Sequence, residues 1–202
     1  GEVKSEIQFG SISRSSRHNT SEELAKIEIC AHRWIALSEP GLNFALLNDC
    51  KYGYSVYGGE LELNALRGTD YPGKDLDEGR HSFRYGVYAD TSADLNGTVR
   101  QGYMFNIEPA AVKTGRSGSG SKSGSFLGID GEVFIDGVKK AENGGGYIVR
   151  TYEAAGKHTK AALEPGVLGE SVRVCDLKED IVSEYSGAQE YRPFDIISYE
   201  IR

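Results

Sequence analysis

The chain has 202 residues, 39% of them hydrophobic, and a formal net charge of −7. That length allows one large domain or two small ones, with a core that needs no disulfide or metal staple. The acidic balance excludes the clustered Lys/Arg surface that displaces counterions from nucleic acid, and no run of about 18 apolar residues is present to cross a membrane as a helix.

Glycine is abundant at 26 residues, and 12 Tyr outnumber 7 Phe. Glycine-rich turns with Tyr and β-branched residues predict many short strands joined by hairpin turns, an all-β antiparallel chain. In chain order, residues 6–14 (EIQFGSISR) place Ile7, Phe9 and Ile12 near a period of two. Residues 19–26 carry a helix-start signature: Thr20 or Ser21 as cap and Glu22 and Glu23 in the first turn. The next stretch has Ile27, Ile29, Ala31, Ile35 and Leu37 on one face, with Arg33 as the exception, and predicts one strand over 26–37. Glu39-Pro40-Gly41 reads as a turn before a strand in GLNFALLND. The sequence YSVYGGELELNALR predicts a hairpin, with Gly58-Gly59 supplying the positive φ angles of a two-residue turn. Residues 68–80 form an acidic loop, and HSFRYGVYA reads as a strand with Phe83, Tyr85 and Val87 on one face. VRQGYMFNIEPAAV reads as strand or extended arm, and no segment shows a long helical period.

Residues 113–125 (KTGRSGSGSKSGS) hold no large apolar residue and predict a flexible linker or loop. The expected division is therefore a first unit over 1–112, the linker over 113–125 and a small sandwich over 126–202. In the last of these, Asn143-Gly144 reads as a turn between two strands, ESVRVCDL and FDIISYEIR as further strands, and LKEDIVSEY as a helical turn or a connection.

The chemistry-bearing residues do not assemble into a motif on spacing alone. Cys30, Cys50 and Cys175 form no Cys-x-x-Cys pair and read as reduced, mostly buried thiols. Cys30 and His32 share a strand face, which is half of a metal site, and Asp70, Asp75, Asp77 and Glu78 lack EF-hand spacing. No Gly-x-Ser-x-Gly elbow or phosphate loop is present. Cys50 has Lys51 beside it, a neighbour that lowers a thiol pKa when the two side chains meet, but adjacent strand residues point to opposite faces and the pair reads as inert. Thirty acidic residues allow many carboxylate pairs, and sequence places none of them in a cleft. Asn19 and Asn96 head Asn-x-Ser/Thr sequons. The absence of an initiator Met before Gly1 suggests an excised fragment.

Several segments, in order, carry a family resemblance: QFGSISR with RHNTSEELAKIEICAHRWIALSEPG, FALLNDCKYGYSVYGGELELNALR, DEGRHSFRYGVYA, VFIDGVKKAENGGGYIVRTYEAAG and RPFDIISYEIR. Together they resemble the C-terminal part of glycoside hydrolase family 38 α-mannosidases, in the cytosolic and bacterial branch. Where the family usually has Trp after Asn-Thr-Ser, the chain has Glu22. The resemblance implies an inactive β-rich tail: the last strands of a large sandwich, then a small terminal one. It implies a parent enzyme that removes terminal α-linked mannose from oligosaccharides with retention. Zinc and the Asp nucleophile would sit in a catalytic barrel outside this chain, with no cofactor and no catalytic residue inside it. The implied partners are the rest of the polypeptide, with its barrel and helical bundle, and a mannose-containing oligosaccharide; self-association through exposed edges is a further expectation. The implied location is cytoplasmic. Asp49, Tyr52 and Arg67 are the implied contacts at the substrate rim, Asp49 accepting from sugar hydroxyls and Tyr52 stacking on a ring. A free-standing carbohydrate-binding module is the competing expectation, and it needs an exposed aromatic platform; Trp34 is the only Trp. A third expectation, a purely structural assembly domain, needs a large bare apolar surface.

Overall fold

The computed structural model describes residues 2–92, 94–113, 115, 118 and 123–202. It contains two compact units, Gly1–Pro109 and Ala110–Arg202. The expected linker over 113–125 lies largely outside the described residues.

In the first unit, β1 (Glu2–Ile7) and β2 (Gly10–Ser15) form a hairpin across Gln8-Phe9, where Phe9 has φ +55°. The near-alternation of residues 6–14 therefore spans a turn. The short helix α1 (Ser21–Leu24) has the expected capping box: Thr20 accepts from the Glu23 amide, and the Glu23 carboxylate accepts from the Thr20 amide. Glu22 pairs with Lys26 at 2.7 Å on the surface.

The single strand expected over 26–37 is two strands in different sheets, β3 (Glu28–Cys30) and β4 (Trp34–Glu39). The chain crosses between sheets at Ala31–Arg33, and Glu6 holds the crossing. Its carbonyl accepts from the His32 amide at 3.2 Å, and its carboxylate accepts from the Arg33 amide at 2.7 Å and the Arg33 guanidinium at 2.6 Å. Both strands turn their apolar residues toward one core from opposite sides, so the pattern continues through the break. Arg33, the exception to that pattern, is the cation that neutralises the buried Glu6.

β5 (Leu42–Asn48) follows the expected turn, with Gly41 at φ +79°. β6 (Gly53–Tyr57) and β7 (Glu60–Leu63) form the expected hairpin, with both turn glycines at positive φ. β8 (Tyr85–Asp90) closes the larger sheet, whose order is β2-β1-β4-β5-β8; the smaller is β3-β6-β7. All pairings are antiparallel. Val3 and Ile35 from the large sheet meet Ile29, Tyr54 and Val56 from the small one, so the unit is a sandwich.

Residues 99–106, the first part of the segment expected to be strand or arm, belong to the helix α2 (Leu95–Asn106). Asp94 caps it by accepting from the Asn96 amide at 3.2 Å. It covers the outer face of the large sheet: Gly102 lies against Trp34, Gly86 lies against Phe105, and Thr98 accepts from Asn43 at 2.6 Å. Trp34 is 1% exposed as a result, so the indole itself offers no platform for a sugar ring. Asn96 is also buried, so its sequon is closed to a glycan in this fold.

The second unit repeats the architecture. β10 (Phe134–Lys140) and β11 (Tyr147–Tyr152) pair across the turn that holds Asn143-Gly144, after a short β9 (Gly128–Asp130). β12 (Thr159–Glu164), β13 (Val172–Cys175), β14 (Ile181–Glu184), β15 (Gln189–Tyr191) and β16 (Ile196–Ile201) follow. The sheets are β10-β11-β16-β13-β14 and β15-β12-β9. Residues 181–184, expected in a helical turn or connection, are the edge strand β14 beside β13. Val149, Leu163, Tyr199 and Ile201 form the core between the sheets. A hydroxyl chain crosses it, Thr151 to Tyr191 at 2.6 Å and Tyr191 to Tyr199 at 2.7 Å. Burial first, then its neighbours, raises the Tyr199 phenol well above its ordinary range.

Candidate functional site

The run Asn48-Asp49-Cys50-Lys51-Tyr52-Gly53 joins the end of β5 to β6, and Asn48 builds the turn. Its side-chain carbonyl accepts from the Lys51 amide at 2.6 Å, and its side-chain NH2 donates to the His32 carbonyl at 2.8 Å and to the Tyr54 hydroxyl. A buried amide with its donors and acceptor used is a structural pin.

Asp49 is also engaged. One carboxylate oxygen accepts from the Arg84 amide at 2.9 Å and the other from the Arg84 Nε at 3.1 Å. The same guanidinium reaches the Phe105 carbonyl and Glu108, each at 3.3 Å, so Asp49 ties the end of β5 to the end of α2 through Arg84. The Arg84 amide holds the Asp49 carboxyl below its ordinary range, and the Arg84 guanidinium adds to the effect. Cys50 donates toward Asp49, and that contact pushes the thiol up more than Lys51 pulls it down. Lys51 therefore does not activate Cys50, since a thiol held protonated is a poor nucleophile. Cys30 and Cys50 are exposed, against the expectation of mostly buried thiols, and only Cys175 is buried.

Tyr52 stands out from the turn, 59% exposed, with its ring edge-on to His32 at 6.1 Å. Arg67 follows β7 and makes an exposed ion pair with Glu28 at 3.5 Å. It lines a cleft of about 520 Å³ with Glu28, Lys51, Asn64, Asp77 and His81. Asp49 and Tyr52 are not among that cleft's lining residues. The structure thus brings Arg67 together with Lys51, His81 and Asp77, while Asp49 joins Arg84. Arg84 lies 35 residues from Asp49 in sequence, and no local spacing signals the pair. His81 is fixed by a 2.7 Å contact with the Asp77 carbonyl.

Cys30 lies on β3 and His32 in the crossing after it, so the paired face expected for them is absent. Among the described residues no group of three or more His, Cys, Asp or Glu is placed to hold a metal ion. The described residues therefore offer no ligand set that fits a zinc ion. No helix of the described residues is long and apolar enough to cross a membrane.

Two family models match the chain. Residues 1–75 match the glycosyl hydrolases family 38 C-terminal domain, and residues 132–202 match the glycosyl hydrolases family 38 C-terminal beta sandwich domain. The chain belongs to the C-terminal region of glycosyl hydrolase family 38. Among curated relatives, Alpha-mannosidase G of Dictyostelium discoideum is 32% identical over 96% of this chain and 19% of its own length. Alpha-mannosidase 2C1 of Homo sapiens is 35% identical over 86% of this chain and 17% of its own length. The crystal structure of an alpha-mannosidase from Enterococcus faecalis V583 matches 100% of this chain and 24% of its own, with TM-score 0.82 at 15% identity, a likeness of fold. The family 38 chain described here thus spans less than a quarter of each of these relatives.

Proposed function

We propose that this chain is the non-catalytic C-terminal β region of a family 38 α-mannosidase, a larger polypeptide that hydrolyses terminal α-linked mannose from oligosaccharides with retention. The observation that carries this reading is the pair of family matches, one in each compact unit, with α-mannosidase relatives aligned over nearly the whole chain. The nucleophile and the zinc belong, in this reading, to a barrel elsewhere in the polypeptide. The two units then supply structure and contacts to the other domains. A cytoplasmic location agrees with three free cysteines.

Within that enzyme, the turn after β5 and the cleft beside it form part of the substrate rim. Tyr52 offers an exposed ring, Arg67 a guanidinium held loosely by Glu28, and Asp49 the acceptor capacity that Arg84 leaves. The full-length enzyme tests this with Asp49→Asn, Tyr52→Ala and Arg67→Ala, assayed on an oligomannoside and on a small aryl α-mannoside. A rim role raises KM for the oligosaccharide several-fold and leaves the small substrate unaffected. Unchanged hydrolysis of both substrates sinks the rim assignment. Absence of α-mannosidase activity in the unsubstituted enzyme sinks the larger proposal.

A further inference from the structure

Two Asn-Gly pairs occur in the chain, Asn96-Gly97 and Asn143-Gly144. Asparagine followed by glycine is prone to spontaneous deamidation, because glycine places no side chain between its own backbone nitrogen and the asparagine amide carbon. Sequence ranks the two pairs equally, and the fold separates them. Asn96 is 7% exposed in the first turn of α2. Helical side chains tilt toward the N-terminus, away from the nitrogen that follows. A Cβ on Gly97 would lie 2.8 Å from the Tyr88 hydroxyl and 2.9 Å from the Asp90 carboxylate, so this peptide is closely packed.

Asn143 and Gly144 are exposed in the turn between β10 and β11, where the Gly144 amide donates to the Ala141 carbonyl at 3.0 Å. Gly144 has φ +77° and nothing within 4 Å of the place a Cβ would take, so its nitrogen is open once that surface hydrogen bond frays. The Asn143 Oδ1 accepts from the Gly145 amide at 2.9 Å. That donor sits where negative charge gathers when the amide carbon is attacked. The Asn143 Nδ2, the group that leaves, donates to the Glu200 carboxylate at 3.2 Å.

We propose that Asn143 is a site of spontaneous deamidation, and that the conversion loosens the second unit through Glu200. The Gly144 nitrogen bonds to the Asn143 Cγ and gives its proton to solvent. The Cγ–Nδ2 bond breaks, and Nδ2 leaves as ammonia with a proton from water. Water then opens the cyclic imide at either carbonyl, leaving aspartate or isoaspartate. Either product puts a carboxylate in the turn in place of the amide that donated to Glu200. Glu200 is 1% exposed and is held ionised by Arg202 and Arg173. A like charge brought beside a buried carboxylate disfavours its ionised form. β16, which carries Glu200 between β11 and β13, bears that cost. The site is a property of this fold and does not depend on the activity of the larger polypeptide.

Ageing of the full-length polypeptide at mildly alkaline pH, followed by peptide mass spectrometry, tests the site without any substitution. The mass gain of amide to acid is expected several-fold faster at Asn143 than at Asn96 in the folded protein, and at similar rates at both in urea. Equal rates in the folded protein overturn the proposal, and so does a gain at Asn143 that appears only in urea. Asn143→Asp supplies one product directly, and amide hydrogen exchange along β16 reads its effect. Exchange is expected to be several-fold faster than in the unsubstituted protein at neutral pH, and the increment is expected to shrink when Glu200→Gln is present in both proteins compared. Unchanged exchange, or an increment of the same size with and without Glu200→Gln, overturns the link to Glu200.

Discussion

Gly102 shows how one side chain sets the packing of the helix on the large sheet. A Cβ at this position would lie 2.7 Å from the Trp34 Cδ1, closer than real Cβ contacts come. Trp34 is 1% exposed, so it has no open space to move into. Gly102→Ala gains helix propensity, about 1 kcal/mol in an exposed helix, but overpacking a fixed ring costs about 1–3 kcal/mol. The steric cost is expected to win. The substitution should lower the unfolding midpoint in urea, followed by emission of Trp34, the only Trp in the chain; an unchanged or raised midpoint would show that the ring yields. The same residue explains why the helix is hard to read in the sequence. Its buried residues include Asn96, Thr98, Val99 and Gly102, a face made mostly of small or polar groups because it must lie close to Trp34 and Asn43. Hydrophobic periodicity detects apolar stripes, and this helix has a steric groove in place of one. Its one clear local signal is the Asp94 cap.

At the scale of elements, the hairpins and most strand positions were legible because turn glycines and period-two alternation act locally. The crossing at Ala31–Arg33 was not, since both strands present apolar residues to one core and only the distant Glu6 marks the break. The candidate site follows the same rule: Asn48 to Gly53 could be found as a cluster, but the capture of Asp49 by Arg84 depends on pairing β5 with β8. Glu200 on β16 has a comparable non-local setting. It is 1% exposed and accepts from Arg202 at 2.8 Å, from Asn143 at 3.2 Å and from Arg173. Burial pushes its carboxyl up, but hydrogen bonds from Arg202, Asn143 and Arg173 outweigh burial and hold it at about 2, against an ordinary 4.5. A depressed folded-state pKa gives stability that is complete above 4.5 and lost as pH falls toward about 2. The loss should reach at most about 3–4 kcal/mol, since each pKa unit corresponds to about 1.4 kcal/mol. Glu200→Gln should therefore flatten the pH dependence of stability in that window and destabilise the second unit at neutral pH. An acid limb identical to that of the unsubstituted chain would exclude Glu200 as its source.

For the molecule as a whole, the two units are built on cores that share no residue, Val3, Ile35 and Tyr54 in the first and Val149, Tyr199 and Ile201 in the second. Gly102 and Glu200 have no partner in common: the contacts of the first are Trp34 and Arg33, and those of the second are Arg173, Asn143 and Arg202. Energetic effects of substitutions without shared partners add to within about 0.5 kcal/mol. The double variant Gly102→Ala with Glu200→Gln should thus lose the sum of the two single losses at neutral pH, and below pH 4.5 its shortfall should converge on that of Gly102→Ala alone as the native Glu200 becomes protonated. Urea unfolding of the four proteins, read by Trp34 fluorescence and by tyrosine circular dichroism, measures both statements. A coupling above about 1 kcal/mol would exceed that limit. It would mean that the division into two cores does not describe how stability is distributed along the chain.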